Sequence, residues 1–362
     1  MKAKYKKLKK KDFHKKEKPK KEKEKDKVFN YGLAILKSLM AFLVLISHHF
    51  NKRSTRNKYI LNFTENRRLH VPTFFILSFN FMYKHLILLN PKIIFNRLLR
   101  LLIPYVGWTY IIWKINHVMN VKYNKKFLDK YTDLIFQLKW GWGYLCHFWF
   151  QWNIIVITIL FIIIIFIFRK HHLFVLQILL LLCYVSQYSG YYLYNPIINR
   201  FHLNIITFKF LFESIPYTVT GFTLGYYKII DILQNHKIKT LTLSLIVYNV
   251  IADYKIFINK NGINFFGVDK NIKTLCIIFI FSLFPSDKIK NKYLSKFLII
   301  ITNYSAGVYY LHTPIFQYLQ ISVDEFKKGS LLAIFIDYLI CYFICFVGML
   351  IFGRTPLKYL FS

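Results

Sequence analysis

A lysine and a histidine interrupt the first long apolar run of the chain, in Ile35-Leu36-Lys37-Ser38-Leu39-Met40-Ala41-Phe42-Leu43-Val44-Leu45-Ile46-Ser47-His48-His49. Eleven residues separate Lys37 from His48. At about 100° per residue, that spacing ends roughly 20° past three full turns, so in a helix both side chains leave one face, about 16–17 Å apart along the axis. His49 leaves about 100° away. A charged or titratable group inside a bilayer is costly and marks a candidate site. An imidazole titrates near neutrality and can take a proton from a hydroxyl. A lysine ammonium can hold or polarise an oxygen. Two plainer readings stay open on spacing alone: Lys37 reaching the headgroups with its charged end, and His48 touching water at the membrane boundary.

Arg97 and Arg100 lie one helical turn apart, before an apolar stretch, in Phe95-Asn96-Arg97-Leu98-Leu99-Arg100-Leu101-Leu102-Ile103-Pro104-Tyr105. Paired guanidinium forks suit phosphate; ordinary positive-inside anchoring is the alternative. His147 opens another apolar run in Cys146-His147-Phe148-Trp149-Phe150, and His312 sits deep in a late one. Glu213, Asp253 and Asp337 are acids within apolar runs, for which ion pairing inside the bundle is the expectation. The five cysteines lie in or beside apolar runs and read as buried small side chains. The one-turn pair Cys341 and Cys345 has no further His or Cys nearby, so no metal site is expected.

The elements that must carry these residues are membrane helices. Apolar residues make up 55% of the 362, against roughly 45–50% for a soluble domain. They come in long runs: Trp152 to Phe168 holds only Asn153 and Thr158 as polar residues. A run of that length with its flanks can span a bilayer, and backbone in lipid must satisfy its hydrogen bonds internally, as a helix does. The pattern predicts an all-α polytopic membrane protein with about ten spans. They fall near 32–50, 71–89, 101–119, 146–168, 173–189, 205–227, 238–257, 272–286, 297–320 and 331–353.

The net charge of +35 suggests nucleic acid until its distribution is read. Residues 1–28 hold 15 lysines and five acids, a tail that cannot bury a core and is expected to be disordered. Most of the remaining excess lies in short links between apolar runs, where basic residues anchor lipid headgroups and set topology. This points to membrane lipids, not nucleic acid, as the partner. The lysines before the first span place the N-terminus on the cytoplasmic side, and Asn62-Phe63-Thr64, a glycosylation sequon, then falls outside. In that topology His48, His147 and His312 share one depth. No cleavable signal is expected, so the first span reads as retained, and no phosphate-binding glycine loop or Gly-x-Ser-x-Gly elbow occurs in the sequence. The domains expected are a 1–28 tail and a transmembrane domain over 29–362.

Taken together, these segments resemble the acyltransferase-3 family of membrane O-acyltransferases. Lys37-x10-His48 has the spacing of the family's first-span Arg-x10-His, with lysine for arginine. Arg97 to Tyr105 is similar to its Arg-x-x-Arg before Leu-Ile-Pro-Tyr. Pro72 to Ser78 resembles its Pro-x-Phe-Phe-x-x-Ser-Gly, with Phe79 where glycine is usual. His147-Phe148-Trp149-Phe150 resembles His-Leu-Trp-Phe, and Gly221-Phe222-Thr223-Leu224-Gly225 resembles its Phe-Leu-Leu-Gly segment. Tyr304 to Pro314 resembles Tyr-Ser-x-Gly-x-Tyr-x-x-His-Pro, with Thr313 inserted before the proline.

The resemblance covers about residues 30–353. It implies O-acyl transfer, acetyl foremost, from acyl-CoA arriving on the cytoplasmic side to a hydroxyl of a carbohydrate or glycolipid. His48 is then the expected general base and Lys37 the group that holds the donor or polarises its carbonyl. Arg97 and Arg100 are the expected ligands of the CoA phosphates, and His312, His147 and Trp149 are candidates for the acceptor pocket. Acyl-CoA enters as a cosubstrate, and no bound cofactor is expected. Two other readings remain: a multi-pass exporter of a glycan or small solute, since intramembrane His, Lys and acids also mark proton relays, and an inactive relative, given Lys37 and Phe79.

Overall fold

The computed structural model describes residues 30–49, 69–118, 133–141, 148–188, 205–260, 268–284, 291–322 and 331–361. Every regular element among them is helical. In chain order these are α1 (Tyr31–His49), α2 (His70–Leu88), α3 (Pro91–Val118), α4 (Leu134–Trp140), α5 (Trp149–Phe168) and α6 (His172–Tyr188). Then follow α7 (Ile205–Tyr226), α8 (Ile229–Gln234), α9 (Lys237–Lys260), α10 (Val268–Ser282), α11 (Lys292–Ser322) and α12 (Leu331–Phe352). A 3₁₀ turn, Pro356–Leu360, closes the described chain.

All ten expected runs fall on helices. Among the described residues, five helices are long and apolar enough to cross a membrane: α1, α2, α3 over Pro91–Ile115, α5, and α12 over Leu332–Phe352. α6 is apolar but shorter, over His172–Gln187. α11 is long yet carries Thr302, Asn303 and Ser305, which line a cavity described below, so its mean hydropathy is diluted by its internal face. The third helix also starts about ten residues before its expected span, so Arg97 and Arg100 stand within α3.

Asparagines set the starts of three helices that matter for the site. Asn30 Oδ1 accepts from the Leu33 amide at 3.0 Å, Asn90 Oδ1 from Ile93 at 3.4 Å, and Asn291 Oδ1 from Tyr293 at 2.9 Å. Each satisfies amides that have no partner within α1, α3 or α11. Ahead of α3, Leu89 takes a left-handed turn (φ 45°) and Pro91 supplies a preset first helical residue.

Two packing devices fix the bundle. The first is Gly221 and Gly225, one turn apart on α7. A Cβ at Gly221 would overlap the Ile76 carbonyl of α2, and one at Gly225 would overlap Tyr83 and the Asn80 carbonyl. Small residues at this spacing let two membrane helices approach backbone to backbone, and α2 with α7 forms the most extensive helix pair. The second device is side-chain bonding at prolines. Pro216 cannot donate to the Phe212 carbonyl one turn earlier, and Gln187 Nε2 of α6 donates to it at 3.1 Å. Beside Pro104, Gln151 Nε2 of α5 donates to the Leu101 carbonyl at 3.0 Å.

Candidate active site

The first turns of α1, the middle of α2 and of α11, the N-terminal part of α3, the start of α5, the end of α12 and the 3₁₀ turn line a cavity of about 890 Å³. Among the described residues its lining includes Lys37, Arg97, Arg100 and Lys358 and no aspartate or glutamate. Lys37 does not run to the helix end. Its Nζ points across to α11 and donates to the Thr302 carbonyl at 3.2 Å. Arg97 donates through Nη2 to Ser78 Oγ of α2, and its buried Nε has no acceptor. Arg100 is exposed, its guanidinium 5.4 Å from the Tyr359 ring. Four cations around one recess, without a lining carboxylate to neutralise them, attract an anion.

His48 lies elsewhere on the same helix face. Its ring centroid is 5.0 Å from that of His312 on α11, with the planes at 50°. Lys37 meets α11 at Thr302 and His48 meets it at His312, so α1 and α11 run parallel, and the face shared by 37 and 48 is the face against α11. His312 is fully buried. Its Nδ1 faces the Tyr309 carbonyl at 2.8 Å and must carry the proton, which leaves Nε2 to accept from the Thr313 hydroxyl at 3.0 Å. The Tyr309 carbonyl thus sets the tautomer of the histidine, and the hydroxyl of the residue inserted before Pro314 complements it.

Neither histidine is part of the cavity lining. Tyr309 bridges the two places: it lines the cavity, and its ring lies 5.9 Å from that of His312 and 5.2 Å from Phe150. Trp149 stacks on Phe210 of α7 at 4.3 Å and 18°, outside the lining. His147, Cys146, the 1–28 tail and the sequon at 62–64 lie outside the described residues, as does the side chain of Asp253. Glu213 is half-buried, and Asp337 is buried and accepts from Cys341 Sγ at 3.4 Å. Cys183, Cys276, Cys341 and Cys345 are all buried free thiols. Phe79, where the family carries glycine, is fully buried against Phe161 of α5 at 4.8 Å and leaves the cavity untouched.

Sequence reasoning missed several lining residues. Ser78 stood in a motif but drew no role. Tyr309 and Gln151 looked like ordinary membrane-helix residues. Lys358 and Tyr359 carried no signal, because one more lysine among 51 basic residues is invisible without coordinates.

A bundle whose described elements are all helical, several of them long and apolar enough to cross a membrane, is that of an integral membrane protein. A family model described as an acyltransferase domain matches residues 30–354, and the chain belongs to that family, acyltransferase-3. It is an acyltransferase, moving groups other than aminoacyl groups. Among curated proteins and solved structures, none matches the chain.

Proposed function

We propose that the protein transfers an acyl group, acetyl foremost, from acyl-CoA to a hydroxyl of a carbohydrate or glycolipid, through ten membrane-crossing helices with the N-terminus on the cytoplasmic side. The observation that carries this reading is the cavity. Its cations answer the phosphates of CoA, and its aromatic and apolar walls suit an extended thioester arm. The parallel course of α1 and α11 accords with their being the first and ninth of ten alternating spans.

Arg97 and Arg100 bind donor phosphates. Lys37 holds the donor; polarising the reacting carbonyl does not suit it, because about 16–17 Å of helix rise separates it from His48. The donor therefore extends along α1 toward Tyr309 and the histidine pair. His48 removes the proton from the acceptor hydroxyl. The oxygen attacks the thioester carbonyl, the C–O bond forms, the C–S bond breaks, and the CoA thiolate takes the proton from the imidazolium. His312, held by Tyr309 and Thr313, backs His48 and borders the acceptor pocket with His147 and Trp149.

The test is acyl transfer by the purified protein from radiolabelled acetyl-CoA to a panel of glycans and glycolipids. Labelled ester on an acceptor, lost in His48→Ala with donor binding retained, supports the reading. Accumulation of unmodified glycan in proteoliposomes without any acyl-CoA refutes it in favour of an exporter.

A further inference from the structure

The family match ends at residue 354, yet the next residues help build the cavity of the matched domain. Three helices carry a glycine where this segment docks. A Cβ at Gly107 of α3 would strike the Leu360 side chain. One at Gly307 of α11 would strike the Phe361 carbonyl, and one at Gly348 of α12 the Phe361 ring. Trp108 Nε1 donates to the Leu360 carbonyl at 2.8 Å, in a buried bond, and Phe361 stacks on Phe352 at 5.8 Å and 4°. The 3₁₀ turn is therefore held from three helices at once. Lys358 and Tyr359, next to the anchored pair, line the cavity.

That placement sets two cations on one ring. The Arg100 guanidinium and the Lys358 ammonium each lie 5.4 Å from the centre of Tyr359, within the roughly 6 Å range of a cation–π contact. Two like charges sit beside one ring, in a recess lined by no Asp or Glu side chain among the described residues. A phosphate suits the gap better than a carboxylate: it offers more charge and three acceptor oxygens to a planar fork and an ammonium together.

We propose that Lys358 is a phosphate ligand, acting with Arg100, so that the segment beyond the family domain completes the donor site. This rests on the reading of the cavity as the acyl-CoA site. CoA carries phosphates and pantetheine carries none, which separates charge recognition from mere filling of the cavity.

The experiment titrates the purified full-length protein, in neutral detergent, with CoA and with pantetheine. Lys358→Ala should weaken CoA about tenfold, on the order of one charged hydrogen bond. Lys358→Arg should weaken it less than threefold, and both variants should bind pantetheine as the parent does. Unchanged CoA affinity in Lys358→Ala, with CoA lost in Arg97→Ala, overturns the role of Lys358 and keeps the donor reading. A parent that binds CoA no better than pantetheine overturns both. Equal losses for CoA and pantetheine in Lys358→Ala mean that the segment only holds the fold, and overturn the proposal. So does a Lys358→Ala variant that keeps CoA but no longer retains phosphatidic acid from mixed micelles, because the phosphate then belongs to a lipid.

Discussion

Arg97→Ala tests the cavity at the cation bonded to Ser78. The guanidinium lines the cavity and donates to Ser78 Oγ through Nη2 alone, and with five N–H donors in its fork it has others to offer a ligand. A hydrogen bond to a charged group is worth about 1.5–3 kcal/mol, and a bidentate contact sits at or above the top of that range. Loss of about 3 kcal/mol is roughly a 150-fold rise in the KM for acyl-CoA. Arg97→Lys keeps the charge and loses the fork, so about tenfold is expected. Ser78→Ala frees the guanidinium without removing it and should cost less than either. Initial rates at varied donor concentration, run in parallel with acyl-CoA and acyl-pantetheine, read the series. The expected order is Arg97→Ala, then Arg97→Lys, then Ser78→Ala, with acyl-pantetheine indifferent to all three. An unchanged KM for acyl-CoA in Arg97→Ala, or an equal loss with both donors, refutes phosphate binding at this position.

His48→Ala should lower kcat by roughly 10²–10⁴, the usual worth of a general base, with CoA affinity unchanged; full turnover would remove His48 from the chemistry. Gly221→Val puts a branched side chain against the Ile76 carbonyl and should destabilise the α2–α7 pair by about 1–3 kcal/mol, seen as a lower melting temperature in detergent. An unchanged melting temperature would contradict the close approach. Phe79→Gly restores the residue usual in the family, yet it should lose stability on the order of 3–5 kcal/mol, because the ring fills the α2–α5 interface. A more stable or more active Phe79→Gly protein would mean that the ring obstructs the site instead.

Helix positions and the shared face of Lys37 and His48 were legible because both follow from period alone. A run of apolar residues must be helical in lipid, and eleven residues on a helix return almost to the starting direction. The partner of that face was not legible. Nothing in 37-x10-48 names α11, which lies some 265 residues away along the chain. The arginine pair shows the same limit. One turn of spacing predicts a shared direction, yet Arg97 turns inward to Ser78 while Arg100 turns to Tyr359, because different neighbours accept each guanidinium. The span count is least legible where function is densest. α11 bears polar residues toward the cavity, so hydropathy falls in a helix that lines it.

The separation of the histidine pair from the cations constrains the chemistry more than either cluster does alone. A base beside the phosphates would face the wrong end of the donor, since the thioester lies at the far end of the pantetheine arm. α1 and α11, running parallel, place cations at one height and imidazoles about three turns further along, with Tyr309 between. In the proposed mechanism a single face of α1 therefore sets the distance between phosphate recognition and proton removal. Shortening α1 by one residue between 37 and 48 would turn His48 by about 100° off α11. Such a deletion should abolish transfer while CoA binding persists; transfer that survived it would show that the base is held by something other than this helix pair.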